Sequence, residues 1–397
     1  MRIATFNAFE AGIDMLQKRQ SELAQSQERL TSGKRVAKAS DDPAAAARAE
    51  RALAGELRAD TSQRAVEASR NAMSLTETAL GDADDLLQQA REALVASGNA
   101  SYSDAERSAL AQKLKGIRDQ LLSVANRSDG AGNYLFAGQG TTVAPFLDGP
   151  GGVSYQAVAG QQRTDATTNL PLSLDGQAMW LQARTGNGVF ETSAAAGVTG
   201  AWIDNGQVVD PSAVTGSTYT LQFTAGAGGT TYAVLKDGLP TAVTAAPYRA
   251  GQDIIVDGMS MKVSGAPATG DTFTIAPSTS TQSVFDVLDR AVIQLGTAGR
   301  TNAQIQQANT DNLRDIDSTM NYLQGARAVA GEALARVDNE TGRLADQKLS
   351  AQTERTAAQD LDMVDAISKF QNQQTGYDAA LKSYSMVQRM TLFQYLS

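Results

Sequence analysis

At 397 residues the chain has room for roughly two to four domains, because single cores seldom grow past about 250 to 300 residues. Its net charge of -9, with scattered lysines and arginines, disfavours a nucleic-acid or anionic-membrane surface. Cysteine and histidine are both absent, which removes disulfides, thiolate nucleophiles, most zinc sites and the commonest general base, and so argues against an enzyme.

The first thirty residues hold no apolar h-region with a small-residue cleavage site, and nowhere do about eighteen apolar residues run together. Neither a cleaved secretory signal nor a membrane span is expected. What the N-terminus does carry is a heptad seam. Phe9, Leu16, Leu23 and Leu30 fall seven apart, and Phe6, Ile13, Gln20 and Gln27 take the alternate slots. Gly33 is placed to end this helix in the left-handed conformation. A short basic loop, Lys34 to Lys38, leads to Ser40-Asp41-Asp42-Pro43. There Asp42 can cap free backbone N–H groups, and Pro43 suits the first helical position because its missing donor costs nothing.

From Pro43 to about Ser97 there is no further proline, and Leu53, Leu57, Leu75, Leu86, Leu87 and Leu94 sit among alanines and charges. This predicts one long helix, with Gly55 and Gly81 as places for a bend. Gly98 and Asn99 break it. Ser103 and Glu106 form a capping box for a returning antiparallel helix with Leu110, Leu114, Ile117, Leu121, Leu122 and Val124. Asn126 to Gly140 reads as a turn and a strand carrying Tyr134, Leu135 and Phe136.

Residues 141–279 hold every proline but Pro43 and both tryptophans, with few charges and abundant threonine, valine and glycine. Short strands are expected at Val153–Val158, Tyr219–Phe223, Tyr232–Leu235, Ile254–Val256, Met259–Val263 and Thr272–Ile275. Asp237-Gly238 and Asp257-Gly258 are the clearest turns. The low-charge stretch from Glu191 to Ala201 is a candidate divider between two small β units.

Helical patterning resumes at Ser283 with Val284, Phe285, Leu288, Val292 and Leu295, and breaks at Gly296 to Gly299. Thr301 caps a long helix whose seam is Leu313, Ile316, Met320, Leu323, Ala330, Leu334, Val337 and Leu344. Near the end, Phe370, Tyr377 and Tyr384 repeat every seven residues, with Ile367, Gln374, Leu381 and Gln388 in the alternate slots. The two terminal seams are too narrow for a globular core, which shows a face about 100° wide. They predict that the first and last helices lie together and meet copies in neighbouring subunits, with the glutamines pairing to fix register, and an ordinary two-helix hairpin inside one molecule stays open as the alternative.

The predicted fold class is therefore α+β multidomain: a long antiparallel α-helical coiled-coil rod formed by the N- and C-terminal segments, with an inserted small all-β region. Residues 1–42 and 356–397 are expected as terminal helices, disordered in the monomer and assembling as a helical core. Residues 43–140 and 280–355 form the helical rod, and 141–279 the β insertion of one or two units. No catalytic, cofactor-binding or metal residues are expected. Asp41 and Asp42 read as a helix start, and Asp82, Asp84 and Asp85 as a solvated helix face. Gly226 to Gly229 is followed by no Gly-Lys-Ser or Gly-Lys-Thr, and Asp253 and Asp257 lack further calcium ligands.

Gln27-Glu28-Arg29-Leu30-Thr31-Ser32-Gly33-Lys34-Arg35 and Ser40-Asp41-Asp42-Pro43-Ala44-Ala45-Ala46 resemble the N-terminal signature of the bacterial flagellin superfamily. Gly132-Asn133-Tyr134-Leu135-Phe136-Ala137-Gly138, Pro145-Phe146, Asp362 to Ile367, Tyr377-Asp378-Ala379-Ala380-Leu381 and Leu392-Phe393-Gln394-Tyr395-Leu396 resemble its hook–filament junction branch more than its filament subunits. The resemblance covers about residues 1–146 and 280–397, and Gly270-Asp271-Thr272-Phe273 is similar to a segment of the superfamily's variable β region. It implies an extracellular axial component of the flagellum at the hook–filament junction. Such a protein is exported through the type III apparatus with a flagellar export chaperone. It self-assembles into a ring or helical layer, between the first hook-associated protein on the hook side and flagellin on the filament side. A filament subunit, a secreted β-domain adhesin or hydrolase on a helical stalk, and a cytoplasmic coiled-coil scaffold stay open as alternatives.

Overall fold

A computed structural model describes residues 2–164 and 168–389. The chain divides into two compact units, Met1–Arg64 with Glu340–Ser397, and Ala65–Asn339.

The first unit contains α1 (Arg2–Ser32), the start of α2 (Pro43–Ser97), the end of α6 (Asn302–Gln359) and α7 (Met363–Arg389). Within it α2 and α6 run antiparallel on small side chains. Ala45, Ala49, Ala52, Ala59 and Ala358 are buried, and a Cβ on Gly55 would meet Ala351 Cβ at 3.6 Å. Alanine keeps helix propensity high while letting the backbones approach. Ion pairs flank the contact, Lys348 to Asp60 at 2.6 Å and Arg355 to Glu56 at 2.8 Å. Gly55 and Gly81 both lie inside the unbroken α2.

The second unit has a helical core and a β domain. The core joins α2 from Ala65 onward, α3 (Asp104–Ala125), α5 (Val284–Gly296) and α6 up to Asn339. Leu80, Leu87, Leu94, Leu114, Leu121, Phe285, Leu288 and Ile316 are fully buried among one another, while of the other α2 leucines read from the sequence Leu53, Leu75 and Leu86 are half-buried and Leu57 is exposed. The capping box of α3 forms as its sequence predicts, with the Ser103 side chain accepting from the Glu106 N–H and Glu106 returning to the Ser103 N–H. A hairpin, β1 (Phe146–Gly149) and β2 (Gly152–Tyr155), and the short α4 (Gly176–Leu181) close one end of this core. Trp180 stacks on Phe285 with ring centres 6.0 Å apart and meets Phe136 edge-on at 5.4 Å. The hairpin is tied down by Arg118, which pairs with Asp148 and, at 3.0 Å, with Asp289 of α5.

The β domain is built from ten strands: β3 (Phe190–Ala194), β4 (Ala201–Ile203), β5 (Gln207–Val208), β6 (Tyr219–Gly226), β7 (Gly229–Lys236), β8 (Leu239–Pro240), β9 (Ala246–Pro247), β10 (Asp253–Val256), β11 (Met259–Gly265) and β12 (Thr272–Pro277). One antiparallel sheet runs β3-β12-β6-β7-β8, with β9 also on β7. A second runs β10-β11-β4, with β5 also on β11. Alternation fixes which face is inward. Tyr219, Leu221 and Phe223 point in while Thr220 and Gln222 pair outward. A single cluster, with Phe223, Phe273, Ile275, Ile203, Met261 and Val263, fills the space between the sheets. Asp237 and Gly238, like Asp257 and Gly258, have positive φ, the Asp-Gly hairpin geometry expected from the sequence. At Gly258 a Cβ would lie 2.1 Å from the Asp210 carbonyl oxygen, so only glycine fits.

Three local expectations are corrected. Tyr134–Phe136 is not a strand but a tight turn bridged from Ser128 to Tyr134, with Leu135 and Phe136 dropped into the helical core. The strand expected over Val153–Val158 ends at Tyr155. Glu191 to Ala201 does not separate two β units. Its first part lies in β3, paired with β12, and Ala201 opens β4, paired with β11, so the stretch crosses from one sheet to the other over a common core.

Candidate assembly surface

The terminal helices α1 and α7 lie against each other. Leu16, Leu23, Leu30, Phe370, Tyr377 and Tyr384 are half-buried, as a shared seam requires, and Ile13 is half-buried beside them. Register is read from two close approaches. A Cβ on Gly12 would lie 3.6 Å from the Tyr384 ring, and one on Gly376 2.7 Å from Arg19 Nη1. The pair is thus antiparallel. Phe6 and Phe9 belong to the α1 backbone and Gln388 to that of α7, but their side chains fall outside the described residues.

The alternate slot lies one residue from where the heptad reading put it. Gln20, Gln27 and Gln374 are exposed, so they do not pair inside this seam. Its second row is taken by Gly12, Arg19, Ser26, Ala366, Gln373 and Ala380, all half-buried. Small side chains opposite large ones let the helices close up, a pattern that apolar periodicity cannot register. Among the described residues, Gln373 Oε1 is buried without a hydrogen-bond partner.

Turning the glutamine slots outward brings apolar side chains with them. Val364 is 82 % exposed, Ile367 45 % and Leu381 41 %, and Met15, Met363 and Met386 are also exposed. Ile367, Gln374 and Leu381 lie seven residues apart on one outward stripe of α7. The predicted residues therefore fall into two groups, one closing α1 on α7 and the other facing away from that contact.

Between the helices the chain is knitted into a double elbow. Gly33, at φ +68°, ends α1, its N–H donating to Arg29 O at 2.9 Å. Lys34 and Asp360 then form an antiparallel bridge, with the Leu361 N–H donating to Gly33 O and the Arg35 N–H to Gln359 O. The Arg35 guanidinium donates to Ala358 O at 2.7 Å, a carbonyl of the last turn of α6, and pairs with Asp42 at 3.2 Å. Val36 is buried beneath. Asp42 caps α2 as expected, accepting from the Ala45 N–H at 3.0 Å, and Pro43 is its first helical residue. The Ala45 N–H, then Arg35, hold the Asp42 carboxyl below its usual range. The Lys38 N–H does the same for Asp41. On the return side, Asp362 caps α7 through the Val364 N–H at 3.0 Å. The sequence marks the stop and start of helices here, but nothing in it announces the bridge between residues 34 and 360, which are distant along the chain.

Of the remaining acidic candidates, Asp82 pairs with Arg127 at 2.7 Å, whereas Asp84, expected on a solvated face, has its Oδ1 buried without a hydrogen-bond partner among the described residues. Asp257 takes the Lys236 ammonium at 2.8 Å and the Tyr219 hydroxyl, and Asp253 takes the Ser260 hydroxyl at 3.1 Å. Among the described residues no helix is long and apolar enough to cross a membrane.

Residues 3–141 match the bacterial flagellin N-terminal helical region, and residues 192–277 match a D2-like domain described for flagellar hook-associated protein 1. Flagellar hook-associated protein 3 of Salmonella typhimurium is 35% identical over 193 residues, 48% of this chain and 60% of that protein. The chain's match thus spans less than two thirds of the length of that curated relative. The crystal structure of FlgL from Xanthomonas campestris is 32% identical and superposes with a TM-score of 0.68, covering 76% of this chain and 99% of that one. The flagellar junction protein FlgL from Legionella pneumophila is 27% identical with a TM-score of 0.64, covering 70% and 94%.

Proposed function

Because this chain belongs to the family of FlgL, the flagellar hook-associated protein 3, we propose that it is a non-catalytic axial subunit of the extracellular flagellum, joining hook to filament by polymerising through α1 and α7. The observation that carries this reading is the second apolar stripe on that helix pair. Val364, Ile367 and Leu381 stand in water after the seam between α1 and α7 has closed. Burying each such side chain against a neighbouring copy gains about 1.5 to 3 kcal/mol, and that gain recurs at every subunit of a layer. Ile13, Gln20, Gln27, Ile367, Gln374 and Leu381 are then the residues that meet other subunits, while Leu16, Leu23, Leu30, Phe370, Tyr377 and Tyr384 close the pair. The match of residues 3–141 to a flagellin region and of residues 192–277 to a hook-associated domain favours a junction layer over a filament subunit.

In this reading the subunit passes unfolded through the type III apparatus with an export chaperone and without cleavage of its N-terminus. Its terminal helices stay disordered until assembly, because the narrow, only half-buried seam by which α1 and α7 meet does not order the pair by itself. It then forms a ring or helical layer on the first hook-associated protein and presents the next surface to flagellin. Immunogold labelling of intact flagella tests the assignment. Label confined to the hook–filament boundary is expected, label along the filament would make this a filament subunit, and label on the cell body alone would overturn both.

A further inference from the structure

The β domain sits on α6 through polar groups. Gln307 Oε1 accepts from the Ile203 N–H at 2.8 Å, and the Thr301 hydroxyl donates to Thr199 O at 2.7 Å. At the centre is Arg314, its side chain only 5% exposed, donating to Thr192 O of β3 at 2.9 Å. Around it are Asp315 at 2.8 Å, Asp311 at 3.3 Å and Glu191 of β3 at 3.4 Å, and Arg290 of α5 reaches Asp315 at 2.6 Å. Two guanidiniums thus face three carboxylates. From α5 comes Arg290, from β3 Glu191, and from α6 Asp311, Arg314 and Asp315, while β4 contributes only a backbone donor.

We propose that this cluster is a proton-coupled latch: it carries one carboxylate more than it has cations, so seating the β domain on α6 takes up a proton at Asp311. Asp311 is the member that takes the proton, because Asp315 has both guanidiniums and Glu191 lies nearer solvent, whereas Asp311 shares one arm of Arg314 and a Gln307 amide at 3.0 Å. Burial pushes its carboxyl up to about 6. The seat is accordingly tightest in mild acid, where the cluster is neutral. It is weakest above that range, where an unmatched negative charge stays buried, so the β domain is held as a head that detaches before the helical core unfolds.

Hydrogen exchange of the full chain between pH 4 and pH 8, corrected for intrinsic rates, tests this. The amides of residues 190–203 should be protected more strongly at the acidic end, by up to on the order of a hundredfold, since each pH unit between the seated and free carboxyl is a factor of ten. In Asp311→Asn the pH dependence should vanish while protection of α3 and α5 is unchanged. Arg314→Met should release residues 190–203 at every pH. If that variant also loses α3 and α5, the Asp311→Asn comparison decides alone. A pH dependence that survives in Asp311→Asn, or protection that falls toward acid in the unaltered chain, overturns the latch.

Discussion

The ring of Tyr384 in α7 lies over Gly12 of α1, so close that a Cβ on that glycine would be 3.6 Å from Tyr384 Cδ2. That distance is ordinary contact, which separates two substitutions. Gly12→Ala fits and removes a helix-interior glycine, worth about 1 kcal/mol of helix propensity. Gly12→Trp must drive the tyrosine out of the seam. The melting temperature of the assembled polymer should hold or rise with alanine and fall with tryptophan. Gly376→Ala should also be tolerated, because the atom it meets is the free end of Arg19.

The elbow gives a prediction with a defined pH sign. Asp42→Ala removes the cap on the Ala45 N–H and the partner of Arg35, and should lower the melting temperature at pH 7. Asp42→Asn keeps an acceptor for the cap and should cost less. Because Asp42 titrates below its ordinary value, its charge contributes stability above the unfolded pKa, near 4, and that contribution is lost as pH falls through the lower folded value. Thermal unfolding of unaltered and Asp42→Ala chains should therefore differ at pH 7 and converge toward pH 3. An unchanged gap at pH 3 would assign the effect to helix propensity instead.

Trp180 and Trp202 report on different cores. Trp180 is fully buried against Phe136, Phe146 and Phe285 in the helical cluster, and Trp202 lies in β4. Trp180→Ala should cost about 3 to 5 kcal/mol, as for a large aromatic removed from a packed interior. Calorimetry should show that loss in the transition of the helical core. The fluorescence of Trp202, now the sole tryptophan, should follow a β-domain transition near its original temperature. Equal lowering of both would mean that the two cores unfold as one.

Legibility tracks the range of the interactions. The helix stop at Gly33, the helix starts at Asp42 and Ser103 and the Asp-Gly turns are local, and each is visible in a few adjacent residues. The large half of the terminal seam, at 16, 23, 30, 370, 377 and 384, is likewise plain. The other half was displaced by one residue because its true occupants, Gly12, Ser26, Ala366 and Ala380, give no apolar signal, while the neighbouring Ile13, Ile367 and Leu381 do. Strand β3 was missed because Glu191, Thr192 and Ser193 read as polar, although Thr192 is fully buried with its hydroxyl on the Asp204 carbonyl. Long-range contacts, such as Arg35 on Ala358 or Arg314 on Thr192, left no trace in spacing.

The register set by Gly12 over Tyr384 and Arg19 over Gly376 puts Leu23 level with residues 372 and 373, of which Gln373 is the half-buried one, so the seam can be tested by restoring charge within one chain. Leu23→Asp places a carboxylate in the closed contact, where an unpaired charge costs several kcal/mol. Adding Gln373→Lys to the same chain supplies its partner. The double variant should assemble, measured as pelletable polymer, whereas a mixture of the two single variants should not, because each seam would still hold one unmatched charge. Co-assembly of that mixture would mean that α1 of one subunit pairs with α7 of another. Leu381→Asp supplies the contrast. It faces away from the seam and is 41 % exposed, so melting of the free subunit should move by no more than about 0.5 kcal/mol, the range of surface substitutions. In the polymer the same carboxylate would be buried once per subunit, and Gln373→Lys should not rescue it. Normal polymer from Leu381→Asp would show that the outward stripe meets no neighbour.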